Sequence, residues 1–261
     1  MNIEVKSKGL STFDIKIIGI VLMVIDHIHQ MFLPFGAPGW LDWFGRPVAT
    51  LFFFTSVVGF SHTHSKKQYL IRLYIAMILM SLGMLALESI VKYEQVVLMN
   101  NIFRDLLVGV IFMFGVDQLR IGMQNHKAKN FCLGLLIFSI PFVSSMALVL
   151  VANHWAANRV LLISVMSITP GILFAENNFM VLLIPLLYIF KDNRKLQCFL
   201  IAVTAVLYGI LGATQWIMVF AILPVWFYNG EKGHGMKYFF YFFYPAHIAV
   251  LYLISAYLYT H

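Results

Sequence analysis

Long apolar segments follow one another along almost the whole chain, separated only by short polar turns. Crossing the hydrocarbon core of a bilayer takes about 20 mostly apolar residues. Charged residues make up only 11% of the chain and hydrophobic residues 61%, whereas soluble domains carry about 25% charged residues. We therefore predict an all-α, polytopic transmembrane bundle, a single domain over residues 1–261, with about nine or ten membrane segments. The apolar segments lie at about 13–34, 47–61, 69–91, 102–119, 131–151, 157–174, 179–190, 196–211, 215–228 and 238–259.

The net charge of +7 would suggest a nucleic-acid partner in a soluble protein, but basic cytoplasmic loops explain it better in a membrane protein. Cytoplasmic loops carry an excess of Lys and Arg, and the first basic clusters fall in alternate turns. This pattern predicts a cytoplasmic N-terminus, a lipid bilayer as surroundings and no nucleic acid. These clusters are Lys66, Lys67 and Arg72, followed by Arg120, Lys127 and Lys129.

Residues 157–190 break the alternation of basic and less basic turns along the chain. The basic cluster that follows them lies on the cytoplasmic side only if residues 157–190 cross the membrane an odd number of times. Two polar interruptions, 169–171 (Thr-Pro-Gly) and 176–178 (Glu-Asn-Asn), lie inside this stretch. We predict one crossing with a broken or interfacial portion, covered by protein or lining a cavity.

The first apolar segment contains Lys16, Asp26 and His27. An ionisable residue at the bilayer centre costs at least about 2.5 kcal/mol, so these side chains need partners or a function. Lys16 and His27 share a helix face about 16 Å apart along the axis, whereas Asp26 points about 100° away from His27 and lies one turn from Gln30. His27 is either a polar helix-packing residue or a general base, since the pKa of an imidazole is near neutrality.

Other charged or polar residues in apolar surroundings have two interpretations each. Arg46 is either an interfacial arginine or holds a carboxylate, a polar acceptor or Asp26. Arg104 and Asp105 need partners, in each other or in Asp26. His247 is either a second cavity imidazole or an interfacial residue.

The turn at residues 61–72 combines basic residues, histidines and hydroxyls. Lys66, Lys67 and Arg72 suit phosphate groups but also suit a loop that only sets topology. His62 and His64 would need a further ligand to bind a metal, and we expect no metal site.

Several motifs together resemble the TraX family, which includes the conjugative pilin acetylase of the bacterial inner membrane. The resemblance is dense over residues 13–73 and returns at 100–109 and 238–250. The matching residues are Asp14-x-Lys16, Met23-x-x-Asp26-His27, Gly45-Arg46, Leu51-Phe52, Gly59-Phe60-x-His62-Thr63, Tyr69-x-x-Arg72-Leu73, Asn101 and Tyr241-x-x-Tyr244-Pro245-x-His247.

The Lys16-x₁₀-His27 spacing is also similar to the basic-x₁₀-histidine pattern of membrane acyltransferases that modify surface polysaccharides. Such proteins often carry an Arg-x-x-Arg pair in the cytoplasmic turn, where this chain has Lys66-Lys67 and a single Arg72.

These resemblances imply an acetyltransferase of the bacterial inner membrane that uses acetyl-CoA. By the same resemblance His27 would be the catalytic imidazole, and the acceptor would be a pilin-like N-terminal amine or another cell-surface group. We count Asp26 as a second catalytic residue, which would orient His27 or offset a nearby positive charge such as that of Arg46. The implied acetyl-CoA residues are Lys16, Lys66, Lys67 and Arg72; the implied support residues are Arg46, Asn101, Arg104, Tyr244 and His247.

Two alternatives stay open. Intramembrane charges and a broken helix also occur in small proton-coupled transporters, although no internal repeat is evident. The second alternative is a non-catalytic assembly factor for a secreted filament.

Overall fold

The computed structural model describes residues 9–155 and 158–261, and this part of the chain is mainly helical, with turns and short irregular stretches between the helices. One isolated bridge, between Leu10 and Tyr228, is its single extended pairing. The helices are α1 (Thr12–Phe32), α2 (Val48–His62), α3 (Lys66–Val91), α4 (Ile102–Gln124), α5 (Ala128–Trp155), α6 (Arg159–Ile168), α7 (Leu183–Ile189), α8 (Arg194–Ile210), α9 (Ile222–Trp226) and α10 (Lys237–Thr260).

Six helices of the described chain are long and apolar enough to cross a membrane, so the protein is a multi-pass membrane protein and the predicted all-α bundle is confirmed. Four of the predicted segments, at 157–174, 179–190, 196–211 and 215–228, instead fold as helices too short to qualify. The six spans are Thr12–Phe35, Gly39–His62, Lys66–Val91, Ile102–Gln124, Ala128–Ala152 and Tyr238–Thr260.

Helix α1 begins at a capping box formed by Ser11 and Asp14. The Asp14 amide donates to Ser11 Oγ (3.3 Å), and the Ser11 amide donates to Asp14 Oδ2 (2.8 Å). The next free amides of α1, those of Thr12 and Phe13, donate to the carbonyls of Glu231 (2.9 Å) and Lys232 (3.2 Å). These bonds satisfy the open N-terminus of the helix and fix the loop before α10 against it.

Helix α4 lies at the centre of the bundle and uses glycines for close packing. Gly122 lies against the backbone of Phe131 in α5, and Gly109 lies against Ile184 in α7. Close approach at small residues is the usual way in which helices associate in lipid, where no hydrophobic effect drives association between them.

The stretch 157–190 is broken where the sequence predicted. Helix α6 ends at Ile168, Thr169–Gly171 is extended, a 3₁₀ turn follows at Ile172–Phe174, and a second runs from Asn178 to Leu182 before α7. The prediction of a broken segment is confirmed.

Candidate functional site

A cavity of about 650 Å³ extends along α1, between the turn that joins α2 to α3 and the start of α10. It passes Lys16 at its outer part and ends inside the bundle at Met23 and Tyr244. Its interior is mostly aromatic and apolar, with hydroxyl groups of Thr55, Ser56 and Tyr69 along one wall. An elongated cavity with a cationic mouth and an apolar interior fits a ligand with a charged head and a thin, less polar arm.

The mouth of the cavity has a different set of cations from the predicted one. Lys16 and Arg72 line it as expected, and Lys232 joins them through the loop before α10. Lys66 and Lys67 do not line it. Lys66 is ion-paired with Asp117, with its ammonium 4.6 Å from the centre of the Phe60 ring, and Lys67 is exposed.

His62, His64 and His234 also line the mouth of the cavity. Within residues 9–155 and 158–261, no three His, Cys, Asp or Glu side chains are grouped so that they could hold a metal ion.

Behind the inner end of the cavity, the buried His27 and the partly buried His247 form a pair. Nδ1 of His27 lies 2.7 Å from Nε2 of His247, and the rings are nearly parallel at 15°. Nδ1 of His247 lies 2.8 Å from the carbonyl oxygen of Phe243, one turn back in α10. The second imidazole that the sequence allowed at residue 247 is therefore the direct partner of the first. His27 is 2% exposed, and Tyr244 separates it from the cavity, with its ring centre 6.0 Å away.

Asp26 does not contact His27. Its Oδ2 accepts a hydrogen bond from Gln30 Nε2 (2.9 Å), the i,i+4 pair expected from the helix, and its Oδ1 has no hydrogen-bond partner among the residues that the structure describes. Gly45 lies directly against the Asp26 carboxylate. Gln30 Oε1 accepts from Asn100 Nδ2 (3.1 Å), and the same nitrogen lies 3.5 Å from His27 Nε2. Within the described part of the chain, the hydrogen-bond path from Asp26 to His27 runs through two amide side chains, those of Gln30 and Asn100.

Glu176, in the second interruption of 157–190, joins this polar cluster from the other side. Its Oε1 accepts from Asn100 Nδ2 (3.3 Å), and its Oε2 accepts from the Asn101 amide (3.0 Å) and the Tyr244 hydroxyl (3.3 Å). The Tyr244 hydroxyl in turn accepts from the Ile102 amide (3.3 Å). These bonds fix Tyr244 between the cavity and the two histidines.

The suggested pairing of Arg104 with Asp105 or Asp26 is wrong. The Arg104 guanidinium donates to the carbonyls of Phe174 (2.8 Å) and Met166 (3.1 Å). Asp105 is fully buried and accepts from the amides of Glu176 (2.7 Å) and Asn177 (3.0 Å) and from the Asn177 side chain (2.6 Å). Both charges hold the broken segment because its free backbone groups need partners inside the protein.

Arg46 holds a carboxylate, as one interpretation of the sequence suggested, but the carboxylate is that of Asp42. The two form an ion pair one helical turn apart. Arg46 also lies 3.4 Å from Gln215 Oε1, and Gln215 Nε2 donates to the Arg46 carbonyl (3.0 Å). Arg46 therefore joins the loop before α2 to the segment before α9, at the end of α1 where Asp26 lies.

The family model described as TraX protein matches residues 11–255 of the chain. The chain belongs to the TraX family. Searches of curated proteins and of solved structures found no match. The match spans every element of the site, from the first turn of α1 to most of α10.

In this TraX-family chain, the predicted residues Lys16, Arg72 and Tyr244 line the cavity, and His27 and His247 lie beside it. The sequence did not single out Gln30, Asn100, Glu176, Lys232 and His234 as candidate site residues. The sequence did contain an indication for Glu176, because it is an acidic residue between two apolar segments and lies in a stretch predicted to be irregular. Asn100 and Lys232 lie in polar turns, where nothing in the sequence distinguishes them from ordinary loop residues.

Proposed function

We propose that this TraX-family chain is an acetyltransferase of the bacterial inner membrane, with a cytoplasmic N-terminus and acetyl-CoA as donor. The observation that carries the proposal is the cavity along α1, which has cations at its mouth and a pair of histidines, the buried His27 and the partly buried His247, behind its inner end. The acceptor we favour is the N-terminal amine of a pilin-like protein, with another cell-surface amine or hydroxyl as the alternative.

The mouth fits the phosphates of CoA, because Lys16, Arg72 and Lys232 line it from three different elements. Guanidinium and ammonium groups are the usual phosphate partners. The pantetheine arm would lie along the apolar wall towards Met23, with the hydroxyls of Thr55 and Ser56 for its amides. The rise from Lys16 to His27 is about 16 Å, a length that an extended arm of this kind covers in large part.

The reaction needs one acyl transfer and two proton transfers, the first to His27 and the second from it. The acceptor nitrogen or oxygen attacks the thioester carbonyl while His27 takes its proton as general base. The new bond to the acetyl carbon forms, the carbon–sulfur bond breaks, and the CoA thiolate receives the proton from His27. Because His27 is buried with an imidazole partner, its ring is held in place for this step.

The experiment is transfer of labelled acetyl groups from acetyl-CoA in membranes that contain the protein. We expect loss of about 100-fold or more in His27→Ala, the scale of general acid–base catalysis. The matched control is His126→Ala, in an exposed turn after α4. Full activity in His27→Ala would refute the catalytic assignment.

A second measurement tests the donor site by calorimetry of acetyl-CoA binding to purified protein. Arg72→Met and Lys232→Met should weaken binding, whereas Lys67→Met, which changes an exposed lysine outside the cavity, should leave it unchanged. Absence of binding by the unaltered protein at millimolar ligand would favour the transporter or assembly-factor alternatives.

A further inference from the structure

The first hydrogen-bond chain at His27 starts from a backbone carbonyl, which can only accept. Since the Phe243 carbonyl lies 2.8 Å from His247 Nδ1, that nitrogen must carry the hydrogen. A neutral imidazole has one N–H, so Nε2 of neutral His247 has a lone pair and accepts. His27 Nδ1, 2.7 Å away, is then the donor, and the proton of neutral His27 lies on Nδ1.

The second chain starts from the other side, at the Asp26 carboxylate. Because that carboxylate accepts from the Gln30 amide nitrogen (2.9 Å), Gln30 Oε1 faces Asn100 and accepts from its Nδ2 (3.1 Å). Asn100 therefore presents N–H groups, not its carbonyl oxygen, towards His27 Nε2. An N–H group facing Nε2 is compatible with a lone pair there and not with a second hydrogen.

We propose that these two chains hold neutral His27 with its proton on Nδ1, so that Nε2 is the atom that accepts a proton. His247, Gln30 and Asn100 are positioning residues in this arrangement, and Asp26 acts through Gln30. The catalytic meaning of the inference rests on the proposed function, whereas the protonated nitrogen is a property of the resting protein.

Among the three acceptors around the Asn100 side-chain nitrogen, Nε2 of His27 lies farthest from it. The Asn100 amide has two hydrogens, and Gln30 Oε1 at 3.1 Å and Glu176 Oε1 at 3.3 Å are both closer than His27 Nε2 at 3.5 Å. Hydrogen bonds weaken towards this upper distance. The neighbouring residues thus orient Nε2 without binding it tightly. A base that must receive a proton needs such a free lone pair.

Nitrogen NMR of ¹⁵N-histidine-labelled protein in detergent tests the inference without any turnover, so its failure is distinguishable from failure of the proposed function. The signals of His27 are assigned by their loss in His27→Ala. In the unaltered protein at a pH where His27 is neutral, we expect a protonated Nδ1 and an unprotonated Nε2. A protonated Nε2 would overturn the proposal.

Two substitutions of His247 separate positioning from acid–base chemistry. His247→Gln keeps an oxygen acceptor for the His27 Nδ1 hydrogen, and His247→Leu removes it. We expect the turnover number to stay within about tenfold in His247→Gln and to fall about 100-fold in His247→Leu, which removes the fixed orientation of the base. The KM for acetyl-CoA should change little in both.

The NMR readout accompanies these variants, because loss of packing alone would not move the proton. His27 should keep its Nδ1 proton in His247→Gln and show mixed protonation of the two nitrogens in His247→Leu. His126→Gln, in an exposed turn, is the control. Equal loss of activity in both His247 variants, or an unchanged His27 signal in His247→Leu, would refute the positioning role.

Discussion

Replacing Asp105 by Ala should destabilise the protein more than the loss of any other single carboxylate described above. Asp105 accepts three hydrogen bonds of 2.6–3.0 Å from Glu176 and Asn177, and its side chain is fully buried. The variant leaves two backbone amides of the broken segment without an acceptor, and no helix is available to satisfy them there.

The magnitude follows from these three contacts. A hydrogen bond to a charged group contributes about 1.5–3 kcal/mol, and a buried donor left unpaired costs about 1–3 kcal/mol. Removing the carboxylate also removes the cost of burying a charge, which offsets part of the loss. We therefore expect the free energy of unfolding to fall by about 3 kcal/mol in Asp105→Ala. Asp105→Asn keeps one carbonyl oxygen and should lose about half as much.

Reversible unfolding in mixed micelles, by titration with a denaturing detergent, measures this free energy. Asp192→Ala, a change in the exposed turn before α8, is the control and should stay within about 0.5 kcal/mol. A loss under about 1 kcal/mol in Asp105→Ala would show that the carboxylate does not hold the segment, since one hydrogen bond alone contributes more.

Three further predictions concern packing and charge. Gly45→Ala places a methyl group against the Asp26 carboxylate and should cost about 1–3 kcal/mol in the same titration, whereas Gly39→Ala, which points into open space, should cost little. Gly122→Ala should separate α4 from α5 and cost a similar amount of free energy of unfolding. The control Gly83→Ala meets no neighbour and should be neutral or stabilising. Equal effects of the two substitutions would contradict the close packing of α4 against α5. Raising the ionic strength from about 0.05 M to about 0.5 M should raise the KM for acetyl-CoA without lowering the turnover number, because salt screens the cations at the cavity mouth; an unchanged KM would exclude them from phosphate binding.

The helices were the part that sequence could predict best, because lipid leaves few alternatives. A chain in a bilayer must satisfy its backbone internally, so a long apolar segment such as α5 is helical wherever it packs. The interruptions at 169–171 and 176–178 were also predictable, from proline, glycine and clustered polar residues. The length of helix in each shorter segment depends instead on contacts with neighbouring elements. In residues 157–190, for example, Arg104 and Asp105 supply hydrogen bonds to the backbone where the helix is broken.

The polar residues around His27 were less predictable because they come from three distant parts of the chain. His247 lies in the last helix, Asn100 follows α3, and Glu176 lies in the broken segment. Helical periodicity relates residues within one element, as it did for Asp26 and Gln30, and says nothing about contacts between elements. The charge of each residue in an apolar context showed that a partner was needed, without showing which one.

Met23 and Tyr244 line the cavity on the side next to His27. Tyr244 is held by hydrogen bonds with Glu176 and the Ile102 amide and by an edge-to-face contact with Phe103. Methionine has three rotatable bonds and adapts readily to its surroundings, and Met23 lies one helical turn from His27. Because the acceptor in the proposed reaction must give its proton to Nε2 of His27, we expect Met23 to change rotamer while Tyr244 keeps its place, so that the acceptor meets the thioester beside His27 without disturbing the bonds that fix the imidazole.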